Sequence, residues 1–227
     1  MVASASLAWG AVAAWSWSPT AEDGRPRAAI SGTARVVDGD TIAVDGMRVR
    51  LEGIDAPEAS QTCGRPSGSS WLCGKEATRA LSGLIGTQHV ECEPSGLDRY
   101  GRTLAVCFLE RLDINAWMVR EGYAWAFTRY SGSYVKEEAE ARARGVGIWQ
   151  GEAMPAWEYR ALHWTRAEVQ APQGCAIKGN VTANGKIYHM PWSPWYAQIN
   201  MDPGRGRRWF CTESEALAAG WRPVNVH

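Results

Sequence analysis

The segment from Ser31 to Glu52 constrains the fold of this chain more than any other. Ala34, Val36 and Val37 lead into Asp38-Gly39-Asp40-Thr41, and Ile42 and Val44 then alternate with small or polar residues. Asp45-Gly46 is the kind of pair that closes a tight hairpin. Beyond it, Met47, Val49 and Leu51 alternate with Arg48, Arg50 and Glu52. That period of two marks a half-buried strand, with Arg48, Arg50 and Glu52 on its other face.

The following text mixes helices with further strands. Ser60 to Gly74 reads as a loop rich in Gly, Ser, Gln and Cys. Lys75 to Ile85 reads as a helix with Ala77, Leu81, Leu84 and Ile85 on one face and Gly86 as its stop. Val90 to Glu93 and Thr103 to Leu109 read as short strands flanking the turn at Leu97-Asp98-Arg99-Tyr100-Gly101-Arg102. Asp113 can cap a helix from Ile114 to Glu121, ended by Gly122. Tyr134 to Arg144 is a charged helix ended by Gly145. Met154 to Val169 is expected to be helical, with Trp157, Ala161, Trp164 and Glu168 on one stripe. Strands interrupted and followed by helices predict a β-barrel plus helices: a small five-stranded barrel with helices packed outside it.

Composition sets the outer limits. The 227 residues carry 24 Lys+Arg and 24 Asp+Glu, which excludes a globally basic coat for nucleic acid; any phosphate binding must come from a local cluster. Residues 31–152 hold 14 basic and 17 acidic side chains, and residues 153–227 hold 8 and 5. The neutral total is thus an acidic first part offset by a basic last part. Ala8 to Trp17 is uncharged and mostly apolar, too short to span a bilayer but suited to the apolar region of a signal peptide. The expected organisation is leader and tether over 1–30, a barrel domain over 31–152, a helical extension and linker over 153–174, and a small α+β accessory domain over 175–227. The expected location is secreted or periplasmic, with no stable membrane insertion after the leader.

The chemistry concentrates where hairpin pairing can bring Asp40 and Asp55 together. Two short carboxylates with backbone carbonyls nearby form a hard-oxygen site suited to calcium. Glu58 follows Asp55 after Pro57, which fixes the chain direction, and can face the same pocket. Arg50 points from the adjacent strand, and the Asp98–Arg102 turn supplies a second arginine. Two arginines, a divalent cation and a free carboxylate are what phosphodiester hydrolysis needs: charge stabilisation, a polarising metal and a proton acceptor.

The runs V-V-D-G-D-T, R-L-E-G-I-D-A-P-E and D-R-Y-G-R-T-L-A resemble the staphylococcal nuclease (thermonuclease) family, over about Ser31 to Trp149 and, more weakly, on to Arg160. The resemblance implies a five-stranded OB-fold barrel with helices and Ca²⁺-dependent cleavage of DNA and RNA that leaves 3′-phosphates. It assigns Asp40 and Asp55 to calcium, with the Ala56 carbonyl replacing that of a Thr. It also assigns Arg50 and Arg102 to phosphate and Glu58 to catalysis. Arg99, Tyr100 and Tyr130 match residues beside the nucleotide. The implied partner is nucleic acid, and the chain is expected to act as a monomer. A non-catalytic OB-fold binding or adaptor protein is the alternative.

The six cysteines suggest an oxidising compartment or a metal site. Cys63 and Cys73 share one loop, and Cys92 and Cys107 lie on two predicted strands; both pairs are expected to be disulfides. Residues 175–227 resemble a short module called the sunset domain, through Ile177-Lys178-Gly179-Asn180-Val181, Ile187-Tyr188-His189-Met190-Pro191 and Ala219-Gly220-Trp221-Arg222. There Cys175 and Cys211 form either a third disulfide or, with His189 and His227, a zinc set. Thr212 and Glu215 form a capping box, with Gly220 ending the helix. Arg205, Arg207 and Arg208 beside Trp192, Trp195, Tyr196 and Trp209 read either as a nucleic-acid patch or as the core of a small unit.

Overall fold

The computed structural model describes residues 29–98, 101–129 and 132–224. The expected leader falls outside them, apart from Ala29 and Ile30. The hairpin forms where the alternation places it. Strand β1 (Ile30–Asp38) pairs antiparallel with β2 (Thr41–Val44), and β2 with β3 (Met47–Leu51). Asp45 and Gly46 both take positive φ, 45° and 85°, as a two-residue turn of this hand requires. The Asp45 carboxylate accepts from the backbone and hydroxyl of Thr33 at 3.1 and 3.2 Å, which holds the turn.

Two further strands close the ring. β4 (His89–Leu97) pairs with β1 and with β5 (Thr103–Leu109), and β5 runs parallel to β3. The order β3-β2-β1-β4-β5 returns to β3, giving a closed five-stranded mixed barrel. β4 extends to Leu97, past the expected end at Glu93. Pro94, Ser95 and Gly96 look like turn residues, yet the ladder continues through them across an irregularity between Pro94 and Gly96, where a proline is tolerated.

Ile42, Val44, Val49, Leu51, Val90, Ala105 and Cys107 fill the barrel. Helix α1 (Cys73–Ile85) covers it through Ala77, Leu81 and Ile85, and α2 (Ile114–Arg120) through Ile114, Met118 and Val119. The Asp113 side chain caps α2 as expected, accepting from the Ala116 N–H at 2.8 Å. α1 starts two residues earlier than expected, for a reason that matters to the site. A Cβ on Gly74 would lie 1.7 Å from the Glu58 carbonyl oxygen, so glycine lets the helix begin against the backbone of Glu58. Helix α3 (Val135–Arg144) ends at Gly145 in the left-handed conformation, φ 61°.

Helix α4 (Ala156–Gln170) corrects the expected stripe. Ala156 and Ala167 are its buried residues, with Arg160, His163 and Trp164 partly buried between them, whereas Trp157, Ala161 and Glu168 are exposed. The inward face is thus rotated by one residue. Trp157 draws the pattern toward itself because of its size, but it only lies across Trp125 and Phe127, with ring centroids 6.1 and 5.9 Å away. Small alanines make the close packing instead, and Arg160 turns inward.

Beyond a short 3₁₀ turn at Pro172–Gly174, β6 (Ile177–Thr182), β7 (Gly185–His189), β8 (Arg208–Phe210) and β9 (Arg222–Pro223) form one sheet in the order β8-β6-β7-β9. Helix α5 (Glu213–Ala218) adds Ala216 to a core of Ile177, Tyr188, Phe210 and Trp221. Thr212 accepts from the Glu215 N–H at 3.1 Å, while the Glu215 carboxylate reaches the Cys211 N–H at 2.9 Å. That reciprocal bond falls one residue before the N-cap that a capping box predicts. The arginines of the suspected nucleic-acid patch have partners within this unit: Arg208 with Glu215 at 3.0 Å, Arg207 with Asn180 at 3.1 Å and Arg205 with Asp202 at 3.8 Å.

All six cysteines are paired: Cys63–Cys73, Cys92–Cys107 and Cys175–Cys211. Cys92 and Cys107 are direct partners in the β4–β5 ladder. The zinc alternative is therefore overturned, because neither Cys175 nor Cys211 is free to act as a thiolate ligand. His189 is buried with its Nδ1 3.2 Å from the Ser193 hydroxyl, and His227 lies outside the described residues. Three disulfides suit an extracellular or periplasmic protein. Among the described residues, no helix is long and apolar enough to cross a membrane. Thiol titration of the unreduced, denatured protein is expected to find no free thiol, and six would contradict the pairing. Replacing Cys92 and Cys107 with serine, which opens a loop of 15 residues, should cost about 3 kcal/mol of stability in urea unfolding.

Candidate active site

Three separate pieces of chain meet at the base of the hairpin. Asp40 precedes β2, just past a shift in the β1–β2 register. Arg50 on β3 sits opposite Thr41, and the Leu51 N–H donates to the Asp40 carbonyl at 2.8 Å. Asp55 lies in a two-residue bridge, Ile54–Asp55, paired with Trp125–Ala126. The ladders thereby bring Asp40, Arg50 and Asp55 to one point.

The carboxylates are nearly or fully buried: Asp40 is 6% and Asp55 0% exposed. One guanidinium spans them. Arg50 Nη1 donates to Asp40 Oδ1 at 2.6 Å, and Nη2 to Asp55 Oδ1 at 3.0 Å. Burying two carboxylates this close is costly unless such donors satisfy them. Asp40 also accepts from the Ala56 N–H at 3.1 Å and the Thr41 hydroxyl at 3.2 Å. Burial pushes Asp40 up, but Arg50 and the Ala56 N–H outweigh it and hold the carboxyl below its usual range. Arg50 shows the other side of this pairing. Burial works against its charge, yet Asp40 and Asp55 raise its pKa.

Glu58 lies three residues beyond Asp55. Its backbone is held by Gln61, whose side-chain oxygen accepts from the Glu58 N–H at 3.1 Å and whose amide donates to the Met154 carbonyl at 2.6 Å. Burial pushes the Glu58 carboxyl up to about 7, against the opposing pull of Arg160. Arg102 holds Asp98 at 2.6 Å, and its charge also favours the ionised form of Asp40. Arg99, Tyr100 and Tyr130 lie outside the described residues.

Two charged members were not expected. Asp38 accepts from the Asp40 N–H at 3.2 Å, and burial followed by repulsion from Asp40 raises it to about 6. Its signal was visible as the first aspartate of Asp38-Gly39-Asp40. Arg160 arrives from α4. Its Nη2 donates to Asp55 Oδ2 at 2.7 Å, and its Nη1 to Asp55 Oδ1 at 3.1 Å and Glu58 Oε1 at 2.9 Å. Only a correct phase for the α4 stripe would have found it.

The donor set fits a hard divalent cation. Asp38, Asp40, Asp55 and Glu58, when ionised, exceed Arg50 and Arg160 by two negative charges. The raised values of Asp38 and Glu58 fit that imbalance. Among the described residues, no three His, Cys, Asp or Glu side chains form a ligating group. Asp40 and Asp55, both bonded to Arg50, are the buried carboxylates at the centre of the cluster.

A family model described as "Staphylococcal nuclease homologue" matches residues 48–151, and one described as ArfC matches residues 161–223. The second match does not confirm the resemblance to the sunset domain. The succinoglycan biosynthesis protein ExoI of Rhizobium meliloti is 39% identical over 126 residues, and an uncharacterized endonuclease of Haemophilus influenzae is 39% identical over 127. The aligned parts cover 54% and 52% of this chain, and 66% of each relative's length. A micrococcal nuclease of Shigella flexneri is 35% identical over 144 residues, which cover 56% of this chain and 77% of that protein. With its closed five-stranded barrel and these relatives, the chain belongs to the staphylococcal nuclease family.

Proposed function

We propose that this chain is an exported, Ca²⁺-dependent phosphodiesterase that hydrolyses DNA, RNA or both with little sequence preference and leaves 3′-phosphates. The observation that carries this reading is the single hydrogen-bonded cluster joining Asp40, Asp55, Arg50 and, through Arg160, Glu58. Asp40, Asp55 and the Ala56 carbonyl would hold calcium, which when bound supplies a Lewis acid for a phosphoryl oxygen. Arg50 and Arg102 bind the non-bridging phosphate oxygens and stabilise the charge that grows there. Glu58 accepts the proton of the attacking water, and a carboxyl raised toward neutrality suits that task. These groups address phosphate, which every nucleotide carries, so base identity has little leverage. Arg99, Tyr100 and Tyr130 are proposed to flank the nucleotide, and the protein is proposed to act as a monomer.

Single-stranded DNA cleavage with calcium present should fall by roughly 10²–10⁴-fold in Arg50→Ala and in Glu58→Ala. End-group analysis should find 3′-phosphates. Wild-type rates in both variants, or 5′-phosphate products, would contradict the assignment. The pH profile follows from Glu58, which must be ionised to accept a proton. With its pKa raised to about 7, and lowered again by a bound dication, kcat/KM should rise with pH and level off at or below about 7. Glu58→Gln should remove that acid limb. A flat wild-type profile from roughly pH 5 to 8 would rule out Glu58 as the base.

A further inference from the structure

Arg160 stands outside the segment that the nuclease family model matches, which ends at residue 151. It is nevertheless bound as tightly into the site as Arg50. Its two terminal nitrogens hold both oxygens of Asp55, at 2.7 and 3.1 Å, and one of them also holds Glu58 at 2.9 Å. Arg50 takes Asp55 Oδ1 as well, at 3.0 Å. Asp55 is fully buried, and guanidinium groups grip both of its oxygens. Asp40 is different: Arg50 reaches only its Oδ1, and its Oδ2 accepts from a backbone N–H.

The helix that delivers Arg160 is fastened to the loop after Glu58. The Ser60 hydroxyl donates to the Trp192 carbonyl at 2.8 Å and lies 3.2 Å from the Tyr159 hydroxyl. Gln61 donates to the Met154 carbonyl, and the Gly64 N–H to the Glu152 carbonyl at 2.7 Å. Trp164 of α4 packs on Trp192, ring centroids 6.4 Å apart, which joins the helix to the C-terminal segment.

We propose that Arg160 is a displaceable counter-ion of the divalent-cation site. It pairs with Asp55 and Glu58 in the metal-free protein and yields Asp55 Oδ2 when the cation binds, with the Ser60–Tyr159–Trp192 contacts as the latch that holds it in place. The inference rests on the reading of Asp40 and Asp55 as calcium carboxylates. Its physical basis is direct. A monovalent and a divalent cation compete for one buried carboxylate, where charges are poorly screened and repel each other strongly. Glu58 gives Arg160 a second partner to keep once Asp55 is lost.

The test is calcium binding to the full, disulfide-bonded chain without nucleic acid, followed by calorimetry and by the calcium-induced rise in melting temperature. Arg160→Gln should bind calcium roughly tenfold more tightly or better. Its metal-free form should melt earlier and gain more from calcium than the wild type does. The double variant Ser60→Ala, Tyr159→Phe keeps the arginine and loosens the latch, so it should show a smaller gain in the same direction. Unchanged or weaker binding in Arg160→Gln overturns the proposal, because the arginine would then be building the site rather than occupying it. If Arg160→Gln does not fold, the double variant decides: no gain in affinity overturns the proposal. Wild-type binding with contrary variants sinks only the role of Arg160. Absence of calcium binding in every protein sinks the calcium reading as well.

Discussion

Arg50 reaches Asp40 with one nitrogen and Asp55 with the other, 2.6 and 3.0 Å away, where the first carboxylate is nearly and the second fully buried. Removing one partner from such a buried ionic set typically costs 3–5 kcal/mol, because the remaining charge has neither water nor a counter-ion. That constraint reaches into the barrel. Arg50 must lie on the strand face opposite Val49 and Leu51, so a one-residue slip of β3 would bury the guanidinium in the core and expose the apolar side chains. The Asp45-Gly46 turn fixes that register, and the Ile54–Asp55 bridge to Trp125–Ala126 brings the second carboxylate in from another part of the chain.

The same cluster explains why neighbouring segments take the form they do. Gly74 permits α1 to start against the Glu58 carbonyl, and the adjacent Cys63–Cys73 bond fixes the loop that leads there. Gln61, 1% exposed, bonds the Glu58 backbone on one side and the Met154 carbonyl on the other. The acidic surplus of residues 31–152 is thus partly gathered in one place. It includes a group of carboxylates that two arginines do not fully offset, and one of those arginines comes from the basic C-terminal part.

Much of this was legible in the chain itself. The period-two alternation around Asp45-Gly46 was clear because one face of that hairpin is core, and Asp113 announced α2 because a capping side chain is a local device. The readings failed where tertiary contact overrides local preference. Pro94 to Gly96 looks like a turn, but the ladder to β5 carries β4 through it. In α4 the bulky tryptophans suggested the inward face, whereas alanines allow the close approach and Arg160 shares their side. Asp40, Asp55 and Arg50 were readable from spacing and from a family resemblance, while Arg160 depends on how a distant helix docks. In the C-terminal part, Trp221 packs on Phe210 and Trp164 on Trp192.

The proposed phosphodiesterase site works only around a dication, because Asp38, Asp40, Asp55 and Glu58, when all are ionised, exceed Arg50 and Arg160 by two negative charges. Cleavage of single-stranded DNA by the purified, disulfide-bonded protein is the most direct measure of that claim, followed with calcium, after chelation and after calcium is restored. The expected result is cleavage that stops on chelation and returns in full with calcium. Cleavage that persists in chelator, or none with calcium present, would contradict it.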